Sequence, residues 1–260
     1  MLLAIDIGNT NITFGLFSGR RLVKKGRFAT SSINKYGYFR RKLKNEWAGP
    51  GLKAIVICSV VPKAEKAVVK VLKQVFKVRV LILGKNIKVP IKNLYKNPRQ
   101  VGQDRLVAAY AAHSLYGNKT PVIVIDFGTA VTFDVVSKKG AYLGGLIAPG
   151  MEMSLNALSE KAALLPKVEL KKPSFILGKT TKDSMASGVF YGYAAMCDGL
   201  VARLEKRFGQ KFYVVATGGN ARRISPLSSS IDKIDENLVL KGINIAFRKG
   251  RIKCAERSLF

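Results

Sequence analysis

Two aspartates in this chain open turns of similar build. Asp6 follows an apolar, strand-forming stretch and leads into Ile7-Gly8-Asn9-Thr10-Asn11, after which Ile12-Thr13-Phe14 resumes a strand. Gly8 lets the backbone approach a ligand, and the amides and Thr/Asn side chains of such a turn donate to phosphate oxygens. A carboxylate where strand gives way to turn suits a hydrated cation beside those phosphates, which makes Asp6 a candidate for Mg²⁺ held through water. Residues 122–136 repeat the pattern: Asp126 matches Asp6, Gly128 matches Gly8, and Thr132-Phe133 matches Thr13-Phe14. The first two pairs are 120 residues apart and the last 119, so the second turn is one residue shorter. Either copy alone reads as an ordinary hairpin. Together they point to a phosphate site and to two related half-domains facing each other across a cleft.

A third acid, Asp104, stands beside Arg105 where the polar segment 93–104 gives way to a helix expected over 105–116. The Arg105 cation and the helix N-terminus are expected to keep its carboxylate ionised. A helix N-cap is the plain structural alternative. Thr217-Gly218-Gly219 ends a strand, where two glycines allow something flat, such as a nucleobase, to lie on the backbone. Gly178-Lys179-Thr180 looks like the tail of a P-loop, but Pro173 stands where its first glycine is required. His113, the single histidine, reads as a packing or surface residue on an alanine-rich helix. Gly188 and Gly192 read as a site of close helix packing.

The elements that carry these residues alternate between periods of 2 and 3.6. Strands are expected over 20–30, 54–61 (closed by Pro62) and 78–83. A helix over Tyr36–Trp47 should turn Tyr38, Phe39, Leu43 and Trp47 inward, and one over 64–76 should keep Lys66, Lys70 and Lys73 wet. Residues 140–150 are too glycine-rich for a regular strand interior and suggest a tight turn or close backbone approach. Helices follow over 151–165 and 183–208, and a short one over 237–247 precedes a basic tail. β–α–β alternation of this kind argues for sheets with parallel members covered by helices.

Composition sets the outer limits. At 48% hydrophobic and 23% charged, the 260 residues suit a globular protein of two modest domains, divided as 1–118 and 119–260. No uncharged apolar run approaches the ~18–20 residues of a membrane helix, and Asp6 falls too early for a signal peptide. Cys58, Cys197 and Cys254 are odd in number and widely spread, which argues against structural disulfides or a cysteine zinc site and for a reducing cytoplasm. The net charge is +29, and the first 119 residues hold 24 Lys/Arg against four acids, Asp6, Glu46, Glu65 and Asp104. Such a field attracts anions in general, so it does not by itself call for nucleic acid.

In their order the motifs resemble those of type III pantothenate kinase, of the actin, sugar-kinase and heat-shock ATPase superfamily. The resemblance spans nearly the whole chain: both aspartate turns, Tyr95-x-Asn97-Pro98 with Gly102-Gln103-Asp104-Arg105, Gly144-Gly145 through Gly150, Leu165-Pro166, Gly178-Lys179-x-Thr181, and Thr217-Gly218-Gly219. It implies two actin-like (ribonuclease H-like) α/β domains with mixed central sheets flanking a nucleotide cleft. It implies ATP-dependent phosphorylation of pantothenate, with Mg²⁺, a monovalent cation (K⁺ or NH₄⁺) and a homodimer. Carried over by position, Asp6, Ile7, Gly8, Asn9, Thr10, Asn11, Ile12, Thr13, Thr129, Gly218 and Gly219 contact ATP, and Asp126 holds the monovalent cation. Tyr95, Gly102, Gln103, Asp104, Arg105 and Thr181 contact the substrate, and Asp104 is the catalytic base. Gln103 and Lys161 depart from the family pattern, the first where a longer side chain bears on substrate fit. The alternative is a non-enzymatic transcriptional accessory factor of the same family that binds nucleotide or nucleic acid.

Overall fold

The computed structural model describes residues 1–47 and 51–257, and the side chain of Cys254 lies outside the described ones. Five strands form the first sheet: β1 (Leu2–Ile7), β2 (Asn11–Ser18), β3 (Arg21–Ala29), β4 (Ala54–Ser59) and β5 (Arg79–Ile82), in the order β3-β2-β1-β4-β5. β1 is antiparallel to β2 and parallel to β4, so the sheet is mixed, as expected. Because side chains alternate along a strand, β1 fills two cores at once. Leu3, Ile5 and Ile7 face α1 (Tyr36–Trp47) and α2 (Pro62–Val75), together with Phe14, Phe28, Phe39, Leu43 and Trp47. Leu2 and Ala4 face the other way with Val56 and Cys58 and are covered by Val107, Tyr110, Leu240 and Ile243.

Phe39, Leu43 and Trp47 recur at helical spacing and are buried; Gly26 leaves the room that the Trp47 ring occupies, since a Cβ there would sit 2.6 Å from it. Tyr38 does not turn inward as expected. It is 53% exposed, one position off that stripe, with Lys42 Nζ over its ring. Pro62 opens α2 at its first position, where its missing N–H costs nothing, and Lys66, Lys70 and Lys73 are exposed.

The second sheet repeats the scheme. It comprises β6 (Lys92–Asn93), β7 (Val122–Phe127), β8 (Ala130–Val136), β9 (Ala141–Pro149), β10 (Tyr213–Thr217) and β11 (Lys233–Ile234), in the order β11-β10-β7-β8-β9-β6. Read outward from β7, the order and directions copy those around β1, with β6 added at one edge. Most of the 140–150 stretch does form a strand, β9, but an irregular one, and the expected close backbone approach falls at its end, where a Cβ on Gly150 would overlap the Thr129 carbonyl. Its glycines are accommodated by an irregularity: Val135 pairs with Gly144 and Val136 with Tyr142, and Gly144 takes φ 134°.

One face of this sheet packs on α4 (Met151–Lys161), α5 (Thr181–Phe208) and α6 (Ala221–Ile224). α4 ends four residues before the expected 165, where Ala162 turns extended. α5 is held at both ends, by Thr180, whose Oγ1 accepts the Asp183 N–H at 3.1 Å, and by Gly209 at φ 63°. Gly188 and Gly192 do not serve close packing in this chain: a Cβ at either would meet nothing within 4 Å.

Two helices remain. α3 (Gln103–Tyr116) begins just ahead of Asp104, and α7 (Leu238–Arg257) runs ten residues past the expected 247. By contacts, Met1–Lys92, Lys96–Ala111 and Asn237–Phe260 form one unit, and Asn93–Tyr95 with Ala112–Glu236 the other. A single cut after residue 118 would place α7 in the second half, whereas Leu240, Ile243, Ala246 and Phe247 pack in the first. Gly242 allows this, because its missing side chain leaves space for the Val107 carbonyl. Among the described residues no helix is long and apolar enough to cross a membrane.

Candidate active site

The sheet register sets each aspartate turn. Asp6 pairs across β2 with Thr13 and across β4 with Cys58. Beyond it, the Ile7↔Ile12 pair closes a loop of Gly8 to Asn11, tied by Gly8 N–H to the Asn11 carbonyl at 2.9 Å. Thr30 holds the loop from β3's end, its Oγ1 donating to the Gly8 carbonyl at 2.8 Å and its N–H to the Thr10 carbonyl at 2.9 Å. Asn9 and Thr10 are left exposed at the tip, and Asp6 is half-buried at its root.

The second turn is built alike. Asp126 pairs with Thr132 on β8 and with Thr217 on β10, and the Phe127↔Val131 pair closes a loop one residue shorter, Gly128 to Ala130. Three glycines surround it. A Cβ on Gly218 would fall 2.3 Å from Asp126 Oδ1, and one on Gly128 3.3 Å from the same oxygen. A Cβ on Gly150 would overlap the Thr129 carbonyl oxygen. Gly219 is exposed with open space about its Cβ position, and Thr129 is exposed. Each turn thus presents an exposed tip over a half-buried acid.

Asp104 lies in the first turn of α3, past the cap position considered from the sequence. Its carboxylate folds back over Gly102, where a Cβ would sit 2.4 Å from Oδ1, and it accepts the Arg105 N–H at 2.8 Å. Burial pushes its carboxyl above the ordinary carboxylate value, outweighing the Arg105 N–H and the Arg105 charge, which pull it down. The expectation took only Arg105 and the helix N-terminus into account, and the largest effect runs the other way. A carboxylate with its pKa raised is a stronger proton acceptor when ionised.

Asp6, Asp104 and Glu65 all act on one neighbour in this unit. The Cys58 thiol is pushed well up, first by burial and then by these three acids in the order Asp6, Asp104, Glu65. Cys58 is therefore a neutral, inert group between charged ones. Glu65 belongs to no motif, yet it is buried and paired with Lys85 at 2.5 Å. Its signal in the sequence was only its rarity, as one of four acids in a basic half. Gln103 leans over Gly84, where an added Cβ would sit 2.9 Å from its side chain.

In the second unit Tyr95 is half-buried, its ring 6.4 Å from that of Tyr142. Tyr142 in turn donates to Asp134 Oδ1 at 2.7 Å, and Thr132 donates to Asp134 Oδ2 at 3.2 Å. This buried acid was not foreseen, since nothing marks a core carboxylate until its hydroxyl partners are known. Thr181 is exposed as the first residue of α5, and the capping role falls to Thr180 instead. His113 is half-buried with Nε2 3.3 Å from the Lys138 carbonyl, as a packing residue should be. Among the described residues no three His, Cys, Asp or Glu side chains gather as a metal centre. A cation held by one carboxylate, waters and phosphate oxygens needs no such cluster, and Asp6 fits it.

Residues 2–203 match the family model described as type III pantothenate kinase. The chain is similar to the type III pantothenate kinase of Myxococcus xanthus, 42% identical over 95% of this chain and 98% of that one. It is also similar to that of Listeria monocytogenes, 40% identical over 96% and 98%. Among solved structures, a Campylobacter jejuni protein named for the Baf family of transcriptional activators has TM-score 0.61 at 20% identity, covering 96% of this chain and 98% of that one. A Sinorhizobium meliloti protein named as a 2-dehydro-3-deoxygalactonokinase has TM-score 0.56 at 14% identity, covering 96% of each. At such identities the likeness is one of fold.

Proposed function

This chain belongs to the type III pantothenate kinase family, and from that premise we propose that it phosphorylates the primary hydroxyl of pantothenate with ATP, opening coenzyme A synthesis. The observation that carries the reading is the doubled acid-led turn, Asp6 between Thr13 and Cys58 and Asp126 between Thr132 and Thr217. We assign residues 6–13, Thr129, Gly218 and Gly219 to ATP, and Tyr95, Gly102, Gln103, Arg105 and Thr181 to pantothenate. Asp104 is the base. It takes the hydroxyl proton as the new bond to the γ-phosphorus forms, the bond to the bridging oxygen breaks, and ADP departs. Arg105 supplies a charge partner for the substrate carboxylate. Asp6 would hold Mg²⁺, which would neutralise phosphate charge, and Asp126 would hold a monovalent cation. The regulatory alternative is set aside, since every acid the reaction needs is present.

An ADP-release assay with pantothenate and a panel of other small alcohols, with and without K⁺, tests this. Turnover confined to pantothenate and stimulated by K⁺ is expected. Turnover only with another alcohol would refute the substrate, and indifference to K⁺ in both the wild type and Asp126→Asn would refute the cation role.

Two further parts of the reading concern state and place. Leu164, Phe175 and Leu177 are 93%, 77% and 76% exposed, apolar surface that a second copy of the chain would cover. A homodimer that covers it should sediment at twice 28.4 kDa, and Phe175→Asp with Leu177→Asp should shift it to the monomer. A wild type at 28.4 kDa would end that reading. A reducing cytoplasm agrees with the free, buried Cys58 and Cys197.

A further inference from the structure

A groove of about 710 Å³ opens in the first unit, between β4, β5, the segment after β5 and α7. Its floor is apolar, formed by Ala54, Leu81, Val89, Ile91 and Phe247. Leu81, Ile87, Val89 and Ile91 are only partly buried although they pack on the core, so the floor keeps apolar surface in contact with water. Its rim is cationic. Lys53, Arg79, Lys88 and Lys249 line it and are exposed, and no Asp or Glu among the described residues does so. None of the four forms an ion pair among the described residues; Lys249 only rests over the Tyr110 ring at 5.7 Å.

None of the site residues assigned above lines this groove. Apolar floor and exposed positive rim together select a ligand with two parts. A cation or a neutral lipid would leave the four charges facing one another, whereas an anion relieves their repulsion and forms charge-assisted hydrogen bonds. A purely polar anion would leave the apolar floor wet. The groove's volume lies in the range of small-molecule sites, roughly 300–1,000 Å³. A macromolecular anion such as nucleic acid would engage the rim without filling the concavity.

We propose that this groove binds a single-chain amphiphile with an anionic head, the alkyl chain along Leu81, Val89, Ile91 and Phe247 and the head among Lys53, Arg79, Lys88 and Lys249. The head is a carboxylate or a phosphomonoester, since either satisfies the same cations. This accounts for part of the charge excess of the first half, which phosphoryl transfer leaves unexplained.

Calorimetric titration of the full chain with dodecanoate and with dodecyl phosphate, each below its micelle concentration, tests it. Saturable one-to-one binding of at least one anion is expected, about tenfold or more tighter than dodecyltrimethylammonium. The better-bound anion identifies the head. Lys53→Glu with Lys88→Glu should weaken anion binding about tenfold or more, and Val89→Asp, on the half-exposed floor, should weaken it too, both with unchanged circular dichroism. Absence of anion binding by the wild type, equal binding of the cationic amphiphile, or unchanged affinity in the Lys53→Glu/Lys88→Glu chain would each overturn it. The readout is binding, so it stands or falls apart from the kinase assay.

Discussion

Asp104→Asn is expected to cut turnover by about 10²–10⁴-fold, the usual contribution of a general base, while leaving the protein at least as stable as the wild type. The two halves of that statement come from one geometry. The carboxylate is folded inward over Gly102 and partly withdrawn from water, so its ionised form is held at a cost. Asn keeps the shape and removes the charge. It cannot take a proton, so the chemical step fails and substrate binding largely remains. The expected pattern is a fall in kcat with a small change in KM. A turnover within threefold of wild type would remove Asp104 from the base role. A variant that melts well below wild type would show that the carboxylate holds the fold together instead.

The pH dependence follows with its sign. A carboxyl whose pKa is raised on folding binds its proton more tightly in the native state, so its contribution favours folding below the unfolded-state pKa. That contribution is lost as pH rises through the raised native value. Activity runs the opposite way, because the base must be ionised. The acid limb of kcat/KM should therefore lie above the ordinary aspartate value and disappear, with the activity, in Asp104→Asn. Site and stability pull against each other here, as they commonly do at catalytic groups.

The family resemblance singles out Asp104 as the proposed base, but its protonation behaviour was not legible in the sequence. Arg105 is adjacent in the chain and visible; the burial, with the carboxylate folded back over Gly102, is a matter of tertiary structure that no local pattern encodes. The same divide runs through the rest of the molecule. The two hairpins were readable because residue type and spacing repeat, and the register then set Thr13 and Thr132 beside their acids. The partners contributed by distant strands, Cys58 to Asp6 and Thr217 to Asp126, depend on parallel pairing across long connections. α7 shows a related limit. Its end reads in the sequence as a basic tail after a short helix, and its membership of the first unit depends on Gly242 letting it close on α3 at Val107, a contact between residues far apart in sequence. The Gly188/Gly192 pair failed for the converse reason, since a packing motif says nothing about whether a neighbour is present.

Gly218→Ala carries the second large effect, and its neighbour supplies the control. Gly218 follows β10 with φ 88°, a conformation that costs an L-residue about 1–3 kcal/mol before any contact is counted. Its Cβ would also fall 2.3 Å from Asp126 Oδ1 and 2.6–2.7 Å from the Phe127 backbone. A flexible side chain could swing clear, but the Phe127 backbone belongs to β7 at the centre of the sheet, so strand and turn must shift together. Gly218→Ala should therefore lower the melting temperature and displace Asp126, reducing kcat together with any stimulation by K⁺. Gly219 differs at each point: its φ is not positive, and a Cβ there meets nothing within 4 Å. Gly219→Ala should melt like the wild type and act only through the ligand. If a flat nucleobase rests on that exposed backbone, the methyl group raises KM for ATP with little change in stability. Equal melting of both variants with the wild type would mean that Gly218 is not pinned against Asp126. Unchanged KM for ATP in Gly219→Ala would move the nucleobase elsewhere. The two adjacent glycines thus separate what the fold requires of the turn from what the nucleotide requires of it.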